Sequence, residues 1–120
     1  MANSMLLTGI TLGVGGCIGG EPTESMLAGN PEQLSGICSP GELVRIGAQY
    51  LQKFPNESSQ EELLQKIIEN MPGTSFSAEL LEDMISGDYR ADRTLVLDGW
   101  LISVTEARQC ALFKLIGESN

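Results

Sequence analysis

The run LDGWLISVTEARQCALF, residues 97–113, decides the architecture of this chain. Asp98-Gly99 stands between two short runs of strand formers, and Asp-Gly is a favoured two-residue hairpin turn because both positions tolerate positive φ. A β-hairpin over residues 94–97 and 100–103 is expected. Ser103 then opens an S-x-x-E box with Glu106, the signature of a capped helix start, which predicts a final helix over 104–116 with Gly117 just past its end. The apolar residues of that helix do not keep to one side. Val104, Ala107, Ala111 and Leu115 share a sector, while Cys110, Leu112, Phe113 and Ile116 spread around the rest, the pattern of a helix buried on most sides. Arg108 falls inside the apolar sector.

Upstream of the hairpin, the chain from residue 38 is written in helix signals. In SPGELVRIGAQYLQKFP, Ser39 is placed as N-cap, Pro40 at the first helical position and Glu42 as the reciprocal partner of the cap. Leu43, Ile46, Gly47, Tyr50, Leu51 and Phe54 then recur at three- and four-residue steps, giving a helix over 40–54 whose Gly47 lets another backbone come close. SSQEELLQKIIENMPG repeats the scheme, with Ser58 or Ser59 as cap, Leu63, Leu64, Ile67, Ile68 and Met71 as the apolar face, and Pro72-Gly73 as the stop. A shorter helix over 77–86 turns Leu80, Leu81, Met84 and Ile85 inward and places Gly87 for a left-handed terminus. The fold class is thus mainly α: a small helical bundle of about four helices with one β-hairpin before the C-terminal helix.

Residues 1–37 read differently. Eight glycines, two prolines and no Lys or Arg argue for a largely irregular Gly-rich leader or tether, ahead of a helical domain over 38–120. Within it, LLTGITLGVGGC resembles the apolar stretch of an export signal ending in a lipoprotein-type box before Cys17, although MANSM lacks the usual basic start. Cys17 is the candidate lipidation site, and a lipid anchor would be the only route to a membrane. Periplasmic or membrane-anchored localisation is the expectation, with a cytosolic protein carrying a Gly-rich leader as the alternative.

Composition excludes more than it assigns. The 120 residues are 42% apolar, enough for one domain with one core. A net charge of −9 repels phosphate backbones, so nucleic acid is not expected as a partner. The chain has no histidine, which removes Ser-His and Cys-His nucleophiles, the usual general base near neutral pH, and His-ligated metal. Glu61-Glu62 and Glu82-Asp83 fall on polar helix faces and read as solvated surface rather than as an acid–base pair. The three cysteines, Cys17, Cys38 and Cys110, show no C-x-x-C spacing. Cys38 and Cys110 are open to two readings, a disulfide or two buried free thiols. No metal or cofactor is expected.

Along the hairpin, alternation assigns Leu95, Leu97 and Leu101 to one face and Val96, Trp100 and Ile102 to the other, so both faces are apolar. Three modest helices are too few to cover both. Trp100 reads either as core, its indole N–H on a backbone carbonyl, or as an anchor for a partner. Arg108 is costly in an apolar sector unless paired. It either snorkels, or pairs internally with a carboxylate such as Asp98 or Asp92, or meets a partner's carboxylate.

The segment LSGICSPGELVRIGAQYLQKFP and the closing VLDGWLISVTEARQCAL, behind an export-like leader, resemble a group of small exported bacterial accessory proteins. More loosely, the layout is similar to the small subunits of exported flavin-dependent dehydrogenases. The residues that carry the likeness are Asp98, Gly99, Trp100, Thr105, Glu106, Ala107, Arg108 and Cys110. That resemblance implies a non-catalytic small subunit that assists a larger flavoprotein. The functional expectation is therefore an accessory subunit that docks its hairpin and C-terminal helix on a larger protein through Trp100, Arg108, Leu101 and Val96. The alternatives are a small thiol or carboxylate enzyme using Cys110, Arg108 and Glu106, and a free-standing lipoprotein module.

Overall fold

The computed structural model describes residues 27–71 and 77–119. A 3₁₀ turn at Leu34–Gly36 leads into helix α1 (Pro40–Lys53), and a second 3₁₀ turn at Pro55–Glu57 joins it to α2 (Gln60–Glu69). Helix α3 (Ala78–Arg90) is followed by strands β1 (Thr94–Leu97) and β2 (Trp100–Ser103), and α4 (Val104–Ser119) follows β2 with no intervening residue. Among the described residues the fold is a four-helix arrangement with one antiparallel hairpin, as its sequence leads one to expect.

The helix starts follow from their side chains. Ser39 and Glu42 form a complete capping box at α1, each side chain bonding the other's backbone amide, at 3.2 and 2.8 Å. Ser59 caps α2 and Ser77 caps α3 by accepting from the amides of Glu62 and Leu80. Two stops differ from expectation. Helix α3 runs through Gly87 to Arg90, and it is Asp92, at φ 58°, that takes the left-handed conformation. The extra turn is held from outside: Asp88 and Tyr89 both bond residues at the start of α4. Helix α4 likewise continues through Gly117 to Ser119.

Because Gly87 is an interior helix residue, its lack of a side chain costs stability. A Cβ there would meet only Arg93 Nη2, at an ordinary 3.9 Å. Gly87→Ala is expected to raise unfolding free energy by about 0.5–1 kcal/mol, read as a higher midpoint in urea with an unchanged slope.

Helix α4 is the centre of the molecule, packed against α1, α2, α3 and the hairpin. Ala107, Cys110, Ala111 and Leu112 are fully buried, which explains why no polar face could be read along this helix. Helix α1 lies closest. The backbone of α4 at Cys110 and Ala111 passes directly over Gly47, confirming the close approach read from that glycine. Leu43, Ile46, Tyr50, Leu63, Ile67, Leu81 and Ile85 supply the other helices' share of the core. The core also reaches back to Ala28, Pro31 and Leu34, all buried, so the packed body includes residues ahead of 38 that the glycine content had assigned to the leader.

The Asp98-Gly99 turn has positive φ at both positions, 52° and 83°, as a two-residue hairpin requires. Its register pairs Leu95 with Ile102, Val96 with Leu101 and Leu97 with Trp100. Cross-strand partners share a face, so the expected division of the hairpin is corrected. Leu95, Leu97, Trp100 and Ile102 all point inward, while Val96 and Leu101 point out together. Counting alternate residues straight through the turn had put Leu101 on the wrong side, because a two-residue turn makes Leu97 and Trp100 direct partners. The hairpin tip is tied to α1: Asp98 N donates to Gln49 Oε1 at 2.7 Å, and Arg45 Nε donates to Asp98 Oδ2 at 3.3 Å.

Candidate functional site

Four residues were expected to meet a partner. The structure separates them. Val96 and Leu101 are 62% and 63% exposed, side by side on the outer face of the hairpin. Trp100 packs against the core from the inner face, and its indole N–H has no hydrogen-bond partner among the described residues, so the carbonyl contact expected for it is not made. Arg108 is turned into its own chain.

Arg108 Nε donates to Glu57 Oε1 at 3.0 Å and to the Tyr50 hydroxyl at 3.1 Å, while that hydroxyl donates to the same Glu57 oxygen at 2.7 Å. The partner carboxylate is thus neither Asp98, which pairs with Arg45, nor Asp92, and it is not in another protein. Burial works against the charge on Arg108. The Glu57 hydrogen bond, followed by Tyr50, more than offsets it, so the guanidinium pKa lies above its ordinary value. Tyr50 is held protonated first by burial and then by Glu57. Glu57 gave no sequence signal, since it stands in a short turn outside any periodic pattern.

A second polar cluster closes the start of α4. Asp88, buried on α3, accepts from Thr105 N at 2.9 Å, from Thr105 Oγ1 at 2.7 Å and from Arg93 Nε at 3.0 Å. The amide of Val104 donates to Arg93 O, and Ser103 and Glu106 complete the expected capping box at 3.0 and 3.1 Å. Glu106 also accepts from the Tyr89 hydroxyl at 2.7 Å. The leading amides of α4 are therefore all engaged, and Glu106 serves as the reciprocal cap of the helix. Asp88 was legible in principle as a lone acid on the stripe of Leu81 and Ile85.

Between these clusters lies an open cleft of about 820 Å³, lined by Tyr50, Glu57 and Arg108 on one side and by Asp88, Arg93 and Thr105 on the other. Phe54, Met84 and Val104 add apolar wall.

Of the two readings left open for the cysteines, the structure shows the pair of buried free thiols. Cys38 and Cys110 are free and buried, with no disulfide between them. Burial pushes the Cys110 thiol up to about 12 from 9.0, with the charges of Glu106 and then Cys38 adding to it, which is the reverse of an activated nucleophile. Arg108, committed to Glu57, does not serve it. Cys17 lies outside the described residues. Among the described residues no group of His, Cys, Asp or Glu is placed to hold a metal ion, and no helix is long and apolar enough to cross a membrane.

The same thiol makes stability sensitive to alkali. Burial, and then Glu106, also hold Tyr89 protonated up to about 12 from 10.0. The unfolded chain loses these protons at their ordinary values while the folded chain keeps them, so unfolding releases protons at high pH. The stabilisation is complete below pH 9.0 and is lost progressively as pH rises toward about 12. Urea melts between pH 7 and 11 are expected to show a plateau followed by a decline that begins near 9.

Comparison with family models, with curated proteins and with solved structures returns no match.

Proposed function

We propose that this chain is a non-catalytic protein-binding module that docks on a larger partner through the outer face of its hairpin. The observation that carries the reading is the pair Val96 and Leu101, two large aliphatic side chains directly opposed across the ladder and more than 60% exposed. Neither is needed by the core, whose hairpin face is already filled by Leu95, Leu97, Trp100 and Ile102. Covering the two would be worth roughly 1–2 kcal/mol each, enough for an anchor within an interface of about 800 Å² on each partner. The contact expected of the C-terminal helix is not part of this reading, because residues 105–107 and 109–112 of α4 are buried by its own chain. A net charge of −9 favours a partner whose docking rim is basic. An exported flavin-dependent dehydrogenase, suggested by the sequence resemblance, is the partner class to try first.

Val96→Glu/Leu101→Glu tests the reading, since both changes fall on exposed positions and should leave the melting temperature within a few degrees of the parent. Native-tag purification is expected to hold one stoichiometric partner with the parent chain and to lose it with the double variant. Retention of the same partner by the folded double variant overturns the proposal. So does a parent chain that elutes from its own cells as a lone monomer.

A further inference from the structure

The cleft between α1, α3 and the start of α4 has no part in hairpin docking, yet its lining is unusual for structural polar groups. The oxygens Glu57 Oε1, Asp88 Oδ1 and Asp88 Oδ2 are engaged by donors of the same chain, while Glu57 Oε2 and the Asp83 carboxylate have no hydrogen-bond partner among the described residues. The donors are not used up. Arg108 and Arg93 each engage only Nε, and their terminal nitrogens have no hydrogen-bond partner among the described residues. A guanidinium carries five N–H groups in a rigid plane, so each arginine leaves four uncommitted on the cleft wall. Planar paired donors are matched by the two oxygens of a carboxylate.

Three further features define the occupant. Phe54, Met84 and Val104 give the cleft an apolar wall suited to a short hydrocarbon tail or ring. Asp83 also lines it, so the charged lining comprises Glu57, Asp83 and Asp88 against Arg93 and Arg108, with Tyr50 neutral beside them. Together with the net charge of −9, that balance disfavours a multiply charged anion such as phosphate. Gly87, on the same wall, keeps space open where packing does not demand a glycine: the only atom near its absent Cβ is Arg93 Nη2.

We propose that this cleft is a binding site for a small monocarboxylate with an apolar tail, its carboxylate held by the terminal nitrogens of Arg93 and Arg108 and its tail lying on Phe54 and Met84.

The test uses hexanoate and phenylacetate as probes, with hexanamide and inorganic phosphate as controls, titrated into the intact chain and followed by amide chemical shifts. Saturable shifts at Gly87, Thr105 and Arg108 are expected with a dissociation constant of about 1 mM or tighter for at least one carboxylate. Hexanamide and phosphate are expected to bind at least tenfold more weakly. Arg93→Gln, at an exposed side chain, should weaken binding by about tenfold through the loss of one guanidinium. Gly87→Leu should block the cleft while the helix stays folded, as shown by far-UV circular dichroism. The proposal is overturned if no carboxylate gives saturable shifts, if hexanamide or phosphate binds as well as hexanoate, or if folded Gly87→Leu binds unchanged.

Discussion

Gly47→Ala is expected to be the most damaging single-methyl change in this protein, costing about 3 kcal/mol and lowering the melting temperature by roughly 10 °C or more. Two effects oppose each other. Alanine is the better helix residue by about 1 kcal/mol, which by itself would favour the substitution. A Cβ at position 47, however, would stand 2.4 Å from Cys110 O, 2.8 Å from Cys110 C and 3.0 Å from Ala111 Cα. These are backbone atoms of the central helix and cannot rotate away. The two helices must therefore separate, loosening Ile46 and Tyr50, which are fully buried in that seam. Steric separation wins over propensity. Thermal melts of Gly47→Ala beside Gly87→Ala make the comparison, since the same chemical change is expected to move stability in opposite directions at the two sites. Equal stabilisation by both would show that α1 and α4 are not in backbone contact.

Asp88→Ala is expected to cost a comparable amount, about 3 kcal/mol, for a different reason. The change removes the acceptor for Thr105 N and Thr105 Oγ1, both in a residue that is only 4% exposed. A buried amide left without a partner costs about 1–3 kcal/mol, and the loss of a negative charge beside a helix N-terminus adds up to about 1 kcal/mol. Arg93, whose side chain is 59% exposed, returns to solvent and contributes little to the loss. Asp88→Asn keeps one acceptor oxygen and should cost about 1 kcal/mol. Urea denaturation of both variants, together with faster hydrogen exchange at the Thr105 amide, checks the assignment. A cost below 1 kcal/mol for the alanine variant would mean that water replaces the carboxylate at the cap.

Features carried by local chemistry were legible in the sequence. The Ser39–Glu42 and Ser103–Glu106 boxes, the Asp98-Gly99 turn and the close approach at Gly47 each depend on residues within a few positions of one another, or on an absent side chain. The dispersed apolar residues of α4 likewise announced a helix enclosed on most sides. Features carried by long-range pairing were not legible. Arg108 was recognised as a charge in need of a partner, but Glu57 lies 51 positions away and only the packing of the 3₁₀ turn against α4 brings them together. The length of α3 was misread because its last turn is held by Thr105 and Glu106, outside the helix. The hairpin faces were misassigned by carrying alternation through a turn that resets it. Of the expected docking residues, Val96 and Leu101 remain available on the surface, whereas Trp100 packs partly buried against the core and Arg108 is paired within its own chain at the cleft wall.

The direct passage from Ser103 of β2 into Val104 of α4 leaves the hairpin without a slack joint. A load applied to Val96 or Leu101 is transmitted along the strand into the helix that packs against the three other described helices and both strands, while Gln49 and Arg45 brace the far tip against α1. The ribbon therefore acts as a lever rooted in the domain's axle. Whatever grips its outer surface also damps the opening motions of the entire body, so protection gained there would spread inward to backbone amides that no visitor ever touches.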